Sequence, residues 1–112
     1  KAGWNRRLVV LFQPHRFTRT RDLENEFAKA FEQADSLFVM DIYPAGEAPI
    51  PGVTGERLAN VIKEAGHPSV NWVNGDPDLA GKVRETLQEG DLFLTLGAGD
   101  VWKTGKEVLA NL

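Results

Sequence analysis

An open α/β fold, a mainly parallel sheet with helices on both faces in the Rossmann-like manner, is what this sequence predicts, on two observations. Leu8-Val9-Val10-Leu11-Phe12, Leu37-Phe38-Val39-Met40 and Leu92-Phe93-Leu94-Thr95-Leu96 are short continuous apolar runs, the pattern of strands buried on both faces. Between them lie stretches with apolar residues at helical spacing, each covering one face. Strands alternating with helices imply parallel strands joined by right-handed crossovers.

Taken in order, the first run is strand one, and Leu23, Phe27, Ala30, Phe31 and Ala34 mark the helix after it. The second run is strand two. Leu58, Val61, Ile62 and Ala65 mark the next helix, with Thr54 as its cap and Gly66-His67-Pro68 as its stop. Val70-Asn71-Trp72-Val73 alternates and reads as a strand at the sheet edge. Leu79, Val83 and Leu87 mark a third helix, with Asp76 as cap and Pro77 in its first turn. Strand four and a helix from about Val101 to Leu109 complete the chain.

The 112 residues fit one domain, residues 1–112, with a core that needs no metal or disulfide staple. Apolar residues at 42% and charged residues at 26% exclude disorder, a fibre and a membrane protein. No apolar run reaches a membrane span of about 20 residues, and Lys1 to Arg7 lacks the apolar core of a signal peptide. Without cysteine there are no disulfides and no thiol catalysis. A cytoplasmic location is expected. The net charge of −3 conceals an asymmetry: residues 1–21 carry Lys1, Arg6, Arg7, Arg16, Arg19 and Arg21 and no acid, while the rest holds all sixteen acids. An anion is drawn to the N-terminal end.

Ligands of such sheets bind at the carboxyl ends of the strands, so the loops there carry the candidate chemistry. The first reads Gln13-Pro14-His15-Arg16-Phe17-Thr18-Arg19-Thr20-Arg21-Asp22. Three arginines, a histidine and two threonines meet a helix N-terminus whose free N–H groups favour an anion, and the guanidinium fork grips two oxygens at once. A carboxylate or phosphate site and a solvated basic turn paired with Asp22 or Glu26 are equally open on the residues alone. The loop after strand two, from Asp41 through Tyr43 and Glu47 to Gly52, is long and rich in Pro and Gly. It reads either as a substrate wall or as a stiff connection, and Glu47 is placed to pair with an arginine of the first loop. After strand four, Gly97-Ala98-Gly99-Asp100 permits close backbone approach. A tight turn with Asp100 as helix cap is its simpler reading. His67 is read as a surface residue, and Trp4, Trp72 and Trp102 as core or edge packing.

Phe12 to Asp22, then Tyr43 to Gly52, then Gly97 to Asp100 together resemble the Mur ligases, and in particular their L-alanine-adding branch. The resemblance covers essentially the whole chain, and three motifs in the right order make it specific. It implies the C-terminal, amino-acid-binding domain of a three-domain ATP-dependent ligase of peptidoglycan synthesis, which adds L-alanine to UDP-N-acetylmuramate through an acyl phosphate. The implied catalytic residue is His15 and the implied substrate-binding residues are Arg16 and Arg19. ATP and Mg are implied for the full enzyme, bound mainly outside this chain; the N-terminal domain holds the UDP-sugar. No Gly-x-x-x-x-Gly-Lys-Ser/Thr is present and no Asp-Tyr-Gly-His-His-Pro-like segment, so both are expected upstream and the isolated chain is expected to be inactive. Two strands of the family's sheet precede the first one here, which gives four strands in the order 4-1-2-3 with strand four as an edge. The family often has Asn where this chain has Asp100. The alternatives are a Mur ligase of muropeptide recycling and a stand-alone anion- or nucleic-acid-binding module, the latter opposed by the acidic total. A phosphoacceptor domain needs an acidic pair where this chain has Gln13-Pro14-His15. Neither nucleic acid nor membrane is expected as a partner.

Overall fold

A computed structural model describes residues 6–73, 78–97 and 101–110. Along these the elements are β1 (Leu8–Gln13), α1 (Phe17–Asp22), α2 (Glu24–Ala30), β2 (Ser36–Val39), α3 (Gly55–Glu64), β3 (Val70–Trp72), α4 (Leu79–Thr86), β4 (Leu92–Gly97) and α5 (Val101–Ala110). All strand pairings are parallel and the order is β3-β2-β1-β4, the expected 4-1-2-3 read from the other side.

Successive residues of β1 feed opposite faces of the sheet. Val10 and Phe12 join Leu37, Val39, Phe31, Leu58 and Ile62 beneath α2 and α3, while Val9 and Leu11 join Phe38, Met40, Val83, Val101 and Val108 beneath α4 and α5. The handedness of parallel crossovers accounts for this division. Steps from β1 to β2 to β3 run one way across the sheet and put their helices on one face; the return from β3 to β4 reverses direction and puts α4 on the other.

Three expectations are corrected. The helix after β1 starts inside the basic segment, at Phe17 rather than near Leu23, and is divided at Leu23 into α1 and α2. Strand four is not buried on both faces: Leu94 and Leu96 are 46% and 41% exposed, because the helices on their face extend from β1 toward β3 and do not reach β4. Trp102 lies exposed on α5 with the Lys103 and Lys106 amines 5.7 and 5.5 Å from its ring, and belongs to no core. Trp72, by contrast, is the half-exposed end of edge strand β3.

The caps follow the local sequence. Thr54 Oγ1 accepts from the Arg57 N–H at 3.0 Å at the head of α3, and Gly66 ends that helix at a φ of 107°. His67 is half-buried rather than free on the surface, its Nδ1 accepting from the Ser69 N–H at 3.1 Å. The expected cap at Asp76-Pro77 and the residue Trp4 lie outside the described residues.

Candidate functional site at the carboxyl end of the sheet

Where β1 ends, the chain does not stop pairing. The Tyr43 N–H donates to the Pro14 carbonyl and the Arg16 N–H to the Tyr43 carbonyl, both at 2.8 Å, which makes His15 and Tyr43 an isolated parallel bridge. Their rings stack with centroids 5.9 Å apart and planes within 11°. The backbone then turns sharply. Arg16 has φ 71° and ψ 144°, a region nearly reserved for glycine that costs a larger residue about 1–3 kcal/mol. Its carbonyl holds the turn by accepting from the Thr20 hydroxyl at 2.7 Å and the Thr20 N–H at 3.2 Å. Strain of this kind, held by surrounding hydrogen bonds, collects at functional sites.

The turn launches α1, and the anion at its N-terminus is the protein's own. Glu47 accepts from the Phe17 N–H at 2.6 Å, the Thr18 N–H at 3.1 Å and the Thr18 hydroxyl at 2.6 Å. The Thr18 hydroxyl and amide, then the Phe17 amide and the Arg16 charge, hold the Glu47 carboxyl below the usual carboxylate range, against a smaller opposing effect of desolvation. Instead of pairing with an arginine side chain, as its position in the sequence suggested, Glu47 binds the backbone and the Thr18 hydroxyl at the start of α1. It reaches α1 from a turn in which Ala45 (φ 50°) and Gly46 (φ 88°) both take left-handed backbone and the Glu47 N–H returns to the Pro44 carbonyl at 3.0 Å.

Beside this clamp, His15 and Arg19 line one cavity of about 290 Å³ together with Phe12, Gln13, Phe27 and Gly97. Two residues of the first loop and the end of β4 are thus brought to one cavity. Arg16 is exposed and lies outside that lining. Tyr43 backs His15 without lining the cavity, and Gly99 and Asp100 lie outside the described residues.

Gln13 was missed as a candidate. Buried at 5% exposure, its Oε1 accepts from the Val101 N–H at 3.0 Å and its Nε2 donates to the Asp41 carbonyl at 3.4 Å, tying the ends of β1 and β2 to the start of α5. Gly97, at φ 122°, lies so close that a methyl there would collide with the Gln13 carbonyl oxygen. A polar residue ending an otherwise apolar strand was the available signal.

The family model described as "Mur ligase, glutamate ligase domain" matches residues 1–99. Proteins named UDP-N-acetylmuramate--L-alanine ligase are similar throughout: that of Geobacter sp. (strain M21) is 50% identical over all of this chain, that of Syntrophotalea carbinolica 54% over 98%, and that of Geobacter sulfurreducens 52% over all of it. The chain spans 24% of the length of each of these relatives. With a family model covering residues 1–99 and relatives about half identical along the whole chain, the chain belongs to the Mur ligase family.

Proposed function

We propose that this chain is the C-terminal, amino-acid-receiving domain of an ATP-dependent ligase that joins L-alanine to UDP-N-acetylmuramate in peptidoglycan synthesis. The observation that carries the reading is the cavity at the carboxyl end of β1, which His15 and Arg19 both line beside a strained turn. The names and the identity of the relatives support the choice of amino acid and sugar. A cavity of about 290 Å³ stands at the lower end of the usual ligand range of roughly 300–1,000 Å³, in keeping with a small amino acid.

In this reading the Arg19 guanidinium takes the alanine carboxylate as a bidentate pair, and His15, braced by Tyr43, orients the amine toward the activated muramate carboxyl. Phe12 and Phe27 exclude water from one wall. Arg16 lies outside the cavity lining and supplies longer-range attraction for the anion. ATP and Mg²⁺ would be held mainly outside this chain, and the nucleotide would supply the phosphoryl group that activates the muramate carboxyl. Among the described residues no group of three His, Cys, Asp or Glu side chains is placed to hold a metal. None of the helices there is long and apolar enough to cross a membrane, and a cytoplasmic site of action is part of the proposal.

Arg19→Ala in the full-length enzyme tests it. Loss of charge-assisted hydrogen bonds of about 1.5–3 kcal/mol weakens alanine use roughly ten- to a hundredfold, with KM for ATP unmoved. A defect confined to ATP overturns the assignment.

A further inference from the structure

We propose that Glu47 is a positioning residue of the amino-acid site: its carboxylate seals the N-terminus of α1 and fixes the His15–Arg19 segment in the orientation that puts both side chains into one cavity. The inference rests on the reading of that cavity as the alanine site and adds a residue to it.

Three observations converge. Every hydrogen bond that the structure gives the Glu47 carboxylate goes to the first two residues of α1, the Phe17 N–H and the Thr18 N–H and hydroxyl. Those residues sit between His15 and Arg19, the two members of the cavity lining that α1 and its approach supply. Arg16, at their head, holds backbone that relaxes unless something keeps it in place, and the Tyr43 carbonyl and Glu47 do so from the same loop. The arrangement also decides how the substrate anion is held. Free N–H groups at a helix start attract carboxylates, and here the protein fills that place itself. The alanine carboxylate is therefore left to the Arg19 side chain, on the cavity side of the helix.

A positioning role differs from a substrate wall in what it requires of the side chain. A wall residue that meets the alanine ammonium needs its charge; a positioning residue needs its oxygens. Gln keeps an acceptor for the two N–H groups and can donate to the Thr18 hydroxyl, whereas Ala keeps nothing. Steady-state kinetics of the full-length ligase with Glu47→Ala, Glu47→Gln and Thr18→Val, each alone and with Arg19→Ala, separates the cases. Glu47→Ala is expected to lower kcat/KM for alanine about ten- to a hundredfold through misplacement of the site, with KM for ATP unchanged. Glu47→Gln should stay within about fivefold of the parent, since neutral hydrogen bonds are roughly half as strong as charge-assisted ones, and Thr18→Val, with one donor removed, should fall between the two. In the Arg19→Ala background the cost of Glu47→Ala should largely vanish, because a residue that acts through Arg19 has nothing left to position.

Gln as damaging as Ala would overturn the proposal in favour of direct charge contact with substrate, and additive losses with Arg19→Ala would overturn it in favour of a general structural role. Should Glu47→Ala fail to fold, Thr18→Val and Glu47→Gln carry the same cycle. If Arg19→Ala alone left alanine use intact, the alanine site itself would be misassigned, a result distinct from failure of the clamp.

Discussion

The two ends of the sheet are built by opposite means. At the amino end, Arg7 reaches across to β4's approach: its Nε donates to both Asp91 carboxylate oxygens at 3.2 Å, and a terminal nitrogen donates to Asp91 Oδ2 at 2.6 Å and to the Thr86 carbonyl. The Gln88 N–H adds a bond to Asp91 at 2.8 Å, and the Leu8 N–H donates to Asp35 Oδ2 at 2.6 Å. The Arg7–Asp91 pair and the Asp35 carboxylate pin the starts of β1, β2 and β4. At the carboxyl end, Arg16 and Ala45, the two non-glycine residues with positive φ among the described residues, sit on adjoining loops, and the Gln13 and Glu47 side chains hold neighbouring backbone and the Thr18 hydroxyl without an ion pair to another described residue. One end spends its polar groups on stability and the other on shape, as expected where ligands bind beyond the carboxyl ends of parallel strands.

The largest effect should come from forcing a side chain into the carboxyl end. Gly97→Ala meets both an unsuitable φ of 122° and the Gln13 carbonyl, so backbone strain and overpacking together should cost about 3 kcal/mol or more. Urea denaturation of the chain measures this, and a loss below about 1 kcal/mol would mean that the approach of β1 to the β4 loop is slack.

Next in size is the amino end. Arg7→Ala leaves Asp91, whose side chain is 7% exposed, with only its Gln88 amide contact among the bonds named above. Because the Arg7 side chain is 32% exposed, water replaces part of what is lost, and about 1–2 kcal/mol is expected. Alanine use in the full-length enzyme should not change, which is the contrast with Glu47→Ala. The pH dependence has a definite sign. The Asp91 carboxyl is held below its ordinary value, first by the Arg7 hydrogen bond and then by the Gln88 amide and the Arg7 charge. A depressed folded-state value means stability that is present above the unfolded value near pH 4 and lost as pH falls through the folded one. Arg7→Ala should flatten that acid loss, and a thermal melt series below pH 5 reads it.

These contrasts were unequally legible in the sequence. The runs that became β1 and β2 announced strands buried on both faces because every position in them is apolar, and the fold class followed. Apolarity alone could not separate them from β4, where Leu94 and Leu96 have the same residue type but face solvent; burial depends on which helices cross, and that is set by strand order, which entered with the family resemblance. In the site, His15 and Arg19 were visible because their residue types carry chemistry. An anion at the helix start was one of two open readings and Glu47 was expected beside an arginine of that loop; that Glu47 itself takes the helix N–H groups was not legible, since it lies about thirty residues away and only the turn at Ala45-Gly46 brings it back. Gln13 was opaque for another reason: an amide closing an apolar strand looks like a boundary until its partners Val101 and Asp41 are known.

A smaller effect tests the strain at Arg16 directly. Arg16→Gly accepts φ 71° without penalty, and relief of about 1–3 kcal/mol is offset by the greater unfolded-state freedom of glycine, about 0.5–1 kcal/mol. Stability should hold or rise by about 1 kcal/mol, while Arg16→Ala, which keeps the strain, should not gain. Loss of stability with glycine would show that the turn is held by the side chain and not merely tolerated.

The smallest effect leaves the free energy of folding untouched and concerns the β4 edge. Among the described strands β4 pairs only with β1. The Leu92 N–H donates to the Arg7 carbonyl at 2.9 Å, and N–H groups alternate in direction along a strand, so those of Leu94 and Leu96 point toward β1 and those of Phe93 and Thr95 point away. In amide exchange of this chain, Phe93 and Thr95 should exchange fastest in β4, Leu94 and Leu96 more slowly, and Val9 to Leu11, paired on both sides, slowest of all. Equal protection along β4 would contradict an open edge. The same measurement on the full-length enzyme sharpens the comparison further, because protection gained at Phe93 and Thr95, with Leu94 and Leu96 little changed, would report a neighbouring strand supplied by the remainder of the parent chain.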